Sequence, residues 1–309
     1  MLDSSSRNPL PRGSLGVLSA FAIALLAGPT GAFCKATTCD AASSTCPVDS
    51  NGCNTGGHPL SWTTGCLSFA VSDAGSAKRG ITYDTFDAVV RKSFQQWLAV
   101  DCGGGKHPSI ALWDAGDFSG PLECDTPEYN PTAPNANAWI LRDADWPYHD
   151  AGSRFAHTTV TYDSATGRIL DADVELDSSG VELTTSDDTI VADLESITTH
   201  EAGHFLGLGD SSDPDATMSA AYSPASRQAR SLAPDDVAGI CALYPPARDV
   251  PACTDPSPSH GFSRYCAGTA HDSGCGLARA GGASDGAFAS VAAAAFLALR
   301  RRRAARKTP

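Results

Sequence analysis

Basic residues are scarce in this chain, and no apolar run in it is long. Lys and Arg number 22 against 35 Asp and Glu in 309 residues, a formal net charge of −13. Two basic residues precede residue 33 and seven follow residue 275, which leaves 13 basic against 33 acidic residues between them. Nucleic-acid binding needs clustered Lys and Arg to meet the phosphates, so the acidic body argues against a nucleic acid as partner; the charge serves solubility. The apolar stretches Leu15 to Gly28 and Gly286 to Leu299 fall short of the roughly 20 residues of a spanning helix. There is no Cys-x-x-Cys knuckle, no EF-hand-like spacing and no internal repeat, which removes the usual Cys-rich zinc and calcium-loop modules. Disorder is excluded as well, because 42% of the residues are hydrophobic, an ordinary globular value.

Both ends read as addresses. Arg7 and Arg12 precede the first apolar run, and Thr30-Gly31-Ala32 follows it with small residues, the pattern of a signal peptide over residues 1–32; a short membrane anchor is the rival reading. At the other end, Ser273-Gly274-Cys275-Gly276, an Ala-rich apolar stretch and Arg300 to Arg303 form a stop held by positive charge. This resembles the C-terminal sorting tail of myxobacterial surface proteins, with an ordinary C-terminal helix as the alternative. The resemblance implies transient membrane attachment through residues 275–309 and a secreted protein, released or anchored at the bacterial surface.

Eleven cysteines occur, and ten remain if Cys275 belongs to the tail. Even cysteine usage behind an export signal predicts five disulfides. Residues 33–56 carry Cys34, Cys39, Cys46 and Cys53 among Gly, Ser, Thr and Asp, too few apolar groups for a core; disulfides are expected to staple the segment. A Cys-containing linker is expected over 248–274, leaving 57–247 as the main domain, most simply a monomer.

Within that domain, Cys66 to Val71 predicts a strand. Phe86, Val89, Val90, Phe94, Trp97 and Leu98 recur at helical spacing, with Thr85 as the expected N-cap. Pro108 to Trp113 and Ala138 to Arg142 read as strands, with a loop over 114–137. Thr158 to Tyr162 and Ile169 to Leu176 alternate around a turn at Gly167, a strand pair. Thr189 to Leu206 reads as a helix stopped by Gly207, and Ser231 to Leu243 as a last helix stopped by Pro245-Pro246. The order implies an α+β fold.

The chemistry concentrates at His200-Glu201-Ala202-Gly203-His204. Histidines four apart share one face of a helix and can hold one metal ion. Glu201 beside them can take a proton from water. Gly207 lets the chain turn back, which brings Asp210 forward as third ligand, with Asp213 the next candidate. Two His and one carboxylate leave a fourth zinc position open, as a catalytic site requires. A chance His-Glu-x-x-His arises in roughly one chain in a hundred of this composition, and requiring Gly207 lowers that about tenfold.

Asp210 and the downstream Ala216-Thr217-Met218-Ser219 complete a pattern similar to the metzincins, a zinc run followed by a Met-turn. Within that clan the chain resembles the matrixins: in Phe94-x-x-Trp97, in Asp171 to Leu176, and in Leu232-x-Pro234-Asp235-Asp236-Val237-x-Gly239-Ile240-x-Ala242-Leu243-Tyr244. The resemblance spans about residues 60 to 246. It implies a twisted, mostly parallel sheet with an antiparallel edge strand, an active-site helix and a C-terminal helix. It further implies one catalytic Zn2+ held by His200, His204 and Asp210, Glu201 as general base, Met218 beneath the metal, and a protein or peptide substrate paired along an edge strand within Thr158 to Tyr162. Tyr222 would wall the pocket for the residue after the cut, or simply pack in the core. The matrixins usually carry His as third ligand; Asp210 is similar to the snapalysin-like proteases. The matrixin cysteine switch is absent. Ca2+, which many matrixins bind, has candidate carboxylates in Asp114, Asp117, Asp143, Asp145, Asp171, Asp173 and Asp177. The alternative to a peptidase is a catalytically weak binding module on the same fold.

Overall fold

The computed structural model describes residues 32–39, 45–118, 129–132, 134–148, 155–221 and 223–258. Nine strands and three α-helices follow in chain order among them: β1 Cys34–Lys35, β2 Cys66–Ser72, α1 Tyr83–Leu98, β3 Ala111–Phe118, β4 Ala138–Arg142, β5 Ala156–Tyr162, β6 Ile169–Asp177, β7 Leu183–Thr184, β8 Ala192–Asp193, α2 Leu194–Phe205, β9 Leu208–Gly209 and α3 Pro234–Leu243. The central sheet has the order β3-β2-β4-β6-β5. Its pairs are parallel except β5 against β6, which is antiparallel and leaves β5 at one edge. The mixed, mostly parallel sheet agrees with the α+β expectation.

β6 shows why the sheet has two unlike faces. Ala172, Val174 and Leu176 enter the core with no exposure, while Asp171, Asp173 and Glu175 alternate onto the other face. Against the apolar face lie α1 and α2. Phe94 of α1 meets Phe69, Phe205 and Trp139 at centroid separations of 4.9, 5.0 and 5.4 Å, contacts that add about 0.5–1.5 kcal/mol each beyond area burial. Trp97 donates its indole N–H to Thr199 O at 2.8 Å, tying α1 to α2 one residue before His200.

Four boundaries differ from the sequence expectation. The last helix starts at Pro234, not Ser231, because Ala233 is its extended N-cap residue. The N-cap of α1 is Thr82, not Thr85: the Thr82 hydroxyl accepts from Thr85 N at 3.2 Å, so Thr85 is the third helical residue. The helix that carries His200 and His204 starts at Leu194, not Thr189. Ile190 and Val191 continue the helical period by coincidence, but Ala192–Asp193 pairs with Leu183–Thr184, and buried Asp193 caps α2 by accepting from Ser196 N at 2.8 Å. β3 runs on to Phe118 into the expected loop. A bulge between Phe69 and Val71 pairing, with Gly116 at φ +94°, absorbs the extra residue.

Four of the expected disulfides fall within the described residues: Cys34–Cys53, Cys39–Cys46, Cys66–Cys253 and Cys102–Cys241. Cys124 and Cys266, the other two cysteines of the ten, lie outside them, as do the expected signal peptide up to residue 31, the expected C-terminal sorting tail and Tyr222. Among the described residues no helix is long and apolar enough to cross a membrane. The N-terminal Cys-rich segment packs directly on the fold: Cys34 and Lys35 pair antiparallel with Gly209 and Leu208.

Candidate metal centre

Two short-range devices aim the histidines. His200 and His204 stand one turn apart on α2. The Nδ1 of His200 lies 2.8 Å from Thr217 O, and that of His204 lies 3.0 Å from Leu208 O. A carbonyl only accepts, so each Nδ1 carries the proton and each Nε2 presents a lone pair. Those two Nε2 atoms are 3.0 Å apart. Two lone pairs at that distance repel, and a cation between them removes the repulsion. The Asp210 carboxylate completes the set, with Oδ1 at 3.7 Å from His200 Nε2 and 3.6 Å from His204 Nε2. Ligand atoms around a tetrahedral zinc stand roughly 3.3–3.5 Å from one another, and the three separations here straddle that value. These three residues are the one His/Cys/Asp/Glu triad with converging ligand atoms among the described residues. Their side chains keep 20–23% exposure, so the centre stays open to solvent on one side. The residues present therefore fit a zinc ion with a free position.

Gly207 makes the return of the chain possible. Its φ is +99°, and a β-carbon there would stand 2.5 Å from Leu60 O. Trp62 Nε1 donates to Phe205 O at 2.8 Å and the Tyr244 hydroxyl donates to Leu206 O at 2.6 Å, satisfying carbonyls that the helix end leaves free. Beyond the turn, Ala36 N donates to Gly207 O and β1 pairs with β9, immediately before Asp210.

Met218 lies buried under α2. Its backbone carbonyl accepts from Ser211 N at 2.7 Å, closing the loop from Asp210 to the methionine. The acidic pair of α3 fastens this loop, a role the sequence motif alone did not disclose. Asp236 accepts from Thr217 N at 2.7 Å, Met218 N at 3.0 Å and Ala233 N at 2.8 Å. Burial nonetheless pushes its carboxyl above the ordinary value. Asp235 accepts from Ser211 Oγ at 2.6 Å with one oxygen, and from Ala32 N and Phe33 N at 2.6 and 2.9 Å with the other. Both follow Pro234 in the first turn of α3, a capping signal in the sequence whose long-range partners only the fold supplies.

Glu201 is 7% exposed, and Oε2 accepts from Thr158 Oγ1 of β5 at 2.5 Å. Thr158 was not singled out by the sequence; only alternation within a strand marked it. Asp213 accepts from Asp215 N and is not one of the three converging residues. Four of the calcium candidates have protein partners: Asp114 with Arg91, Asp143 with Ser76, Ser178 and Lys78 N, Asp173 with Ala138 N, and Asp177 with Ser179 and Gly180 N. Asp171, fully buried, faces Asp173, and burial with that neighbour raises its carboxyl well above the ordinary value. His157 stacks on Tyr148 with ring centroids 4.0 Å apart, remote from the triad in role.

A helix bearing two fixed imidazoles, with a carboxylate returned beside them and a glutamate next to the first, is an arrangement that could hold a metal ion. Comparison with known proteins gives it a family likeness. Residues 141–245 match the family model described as Matrixin, Peptidase_M10. Metalloendoproteinase 1 of Glycine max is 41% identical over 167 residues, covering 52% of this chain and 46% of that protein. Metalloendoproteinase 5-MMP of Arabidopsis thaliana is 54% identical over 56 residues, 18% of this chain and 15% of that one, and Matrilysin of Homo sapiens is 34% identical over 99 residues, 32% and 34%. The chain spans less than half the length of these relatives. The matches support a matrixin-like zinc metalloprotease.

Proposed function

We propose that the protein is a secreted or surface-attached zinc endopeptidase that hydrolyses peptide bonds in extracellular proteins. The observation that carries the reading is the fixing of both imidazoles through Nδ1, which leaves two Nε2 lone pairs and the Asp210 carboxylate converging on one point. Zinc bound there supplies Lewis acidity, which acidifies water and polarises the scissile carbonyl. Glu201 takes the proton of the attacking water and passes it to the leaving amine. An extended substrate adds to the free edge of β5, where main-chain groups point away from β6. Met218 supports the histidine helix from below, and Tyr222 is assigned to the pocket wall beyond the cut.

In this reading residues 57–247 form the catalytic domain, framed by the signal peptide 1–32, the disulfide-stapled segment 33–56, the linker 248–274 and the sorting tail 275–309. The four disulfides support export. Asp210 brings a negative charge where a third His would be neutral, which weakens the Lewis acidity of the centre. That single feature favours the second reading, a binding module with little catalysis.

Metal analysis with a casein-type digestion, with and without chelator, separates them. The peptidase reading predicts about one zinc per chain, chelator-sensitive cleavage, and a Glu201→Ala variant that keeps zinc and loses hydrolysis. Full activity in Glu201→Ala would sink it, and one zinc without cleavage of any unfolded protein would establish the binding module.

A further inference from the structure

We infer that Thr158 is a positioning residue that holds the Glu201 carboxylate in its working orientation and thereby links the substrate-pairing strand to the proton-transfer group. The inference rests on the peptidase reading above and deepens it. Three residues of β5 are buried toward the core: Ala156, Thr158 and Val160, at 7, 8 and 5% exposure. The outer two are apolar and belong to the main core cluster. Thr158 sits between them, opposite Val174, which is fully buried. Packing alone would be served by Val at this position, since Val and Thr have nearly the same shape. The hydroxyl is therefore the informative atom, and its partner is Glu201 Oε2 at 2.5 Å, within a buried pair.

The geometry suits the role. A β-branched side chain has a restricted χ1, so the register of β5 on β6 fixes where the hydroxyl points. Glu201 has three rotatable bonds and gains a defined orientation from this one buried hydrogen bond. With Oε2 tied down, Oε1 is left to exchange the proton. Because β5 is also the edge strand, any shift of that strand when a substrate pairs with it is transmitted to the carboxylate through a single side chain.

The test compares Thr158→Val, which keeps the shape and removes the donor, with Thr158→Ser, which keeps the donor. Both are loaded with zinc, assayed on a quenched peptide, and their crystal structures determined. A positioned general base contributes about 10²–10⁴ in rate. Accordingly Thr158→Val is expected to keep its zinc, to lose roughly tenfold to a hundredfold in kcat with KM within about twofold, and to show Glu201 turned out of its wild-type rotamer. Thr158→Ser is expected to restore both kcat and the rotamer. An unchanged Glu201 rotamer in Thr158→Val, unchanged kcat, equal losses in both variants, or a loss confined to KM would each overturn the inference. If the wild type itself cleaves nothing, the peptidase reading fails, and the rotamer comparison still decides whether Thr158 positions Glu201.

Discussion

The Met218 sulfur fills the space that a β-carbon on Gly203 would need, with Trp97 closing the same space from the side. The glycine within His-Glu-x-Gly-His is thus a packing requirement of the methionine below it. In an exposed helix, Gly→Ala gains about 1 kcal/mol from propensity. Here overpacking, worth about 1–3 kcal/mol, acts against that gain and falls on the residues beneath both histidines. Gly203→Ala is expected to destabilise the protein in urea unfolding and to weaken zinc binding. A stabilised variant with native zinc affinity would show that Met218 moves freely.

Gly207→Ala combines two penalties. The left-handed backbone at φ +99° costs a side-chain residue roughly 1–2 kcal/mol, and the new methyl group meets Leu60 O. The expected result is a fall in melting temperature of several degrees together with loss of zinc, because the turn that returns Asp210 is displaced. A fall in stability with native zinc affinity would separate the turn from the ligand.

Arg230 and Asp193 tie the start of α2 to the segment after Met218, through contacts of 2.5 and 2.8 Å. Burial alone would raise the Asp193 carboxyl, but the hydrogen bonds and charge of Arg230, with those from Ser196, hold it below its ordinary value of 3.8. A depressed carboxylate contributes stability above its unfolded pKa and loses it as pH falls through the folded value. Removing the partner leaves a buried charge alone, at about 3–5 kcal/mol. Arg230→Met is therefore expected to be strongly destabilised at pH 7, with the difference from wild type narrowing below about pH 4. A pH-independent difference would assign the loss to packing.

The disulfide Cys34–Cys53 holds β1, which pairs beside the turn that presents Asp210. Its loop of 19 residues contributes about 3 kcal/mol in the chain-entropy account. Replacing both cysteines with Ser is expected to lower stability by that order and to weaken zinc retention during dialysis against chelator. Native retention would confine the disulfide to global stability.

These cases show what the sequence disclosed. The periodic strands, the helix positions and the His200-Glu201-His204 constellation were legible because each depends on local spacing. The start of α2 was not: Ile190 and Val191 mimic the helical period, and only the pairing of Ala192–Asp193 with Leu183–Thr184 ends it. Thr158 and the separate duties of Asp235 and Asp236 were invisible for another reason. Their partners lie 43, 24 and 19 residues away in sequence, so no local pattern encodes them. Asp210 stood between, named by the motif but given its distance to both histidines only by the fold.

Whether Asp210 joins His200 and His204 as a zinc ligand is read from zinc affinity measured by chelator competition. Asp210→His should retain tight binding, and Asp210→Ala should lose more than the roughly 10–100-fold typical of a supporting residue. Equal affinity in Asp210→Ala and the wild type would contradict the account and move the third ligand elsewhere, with Asp213 first in line.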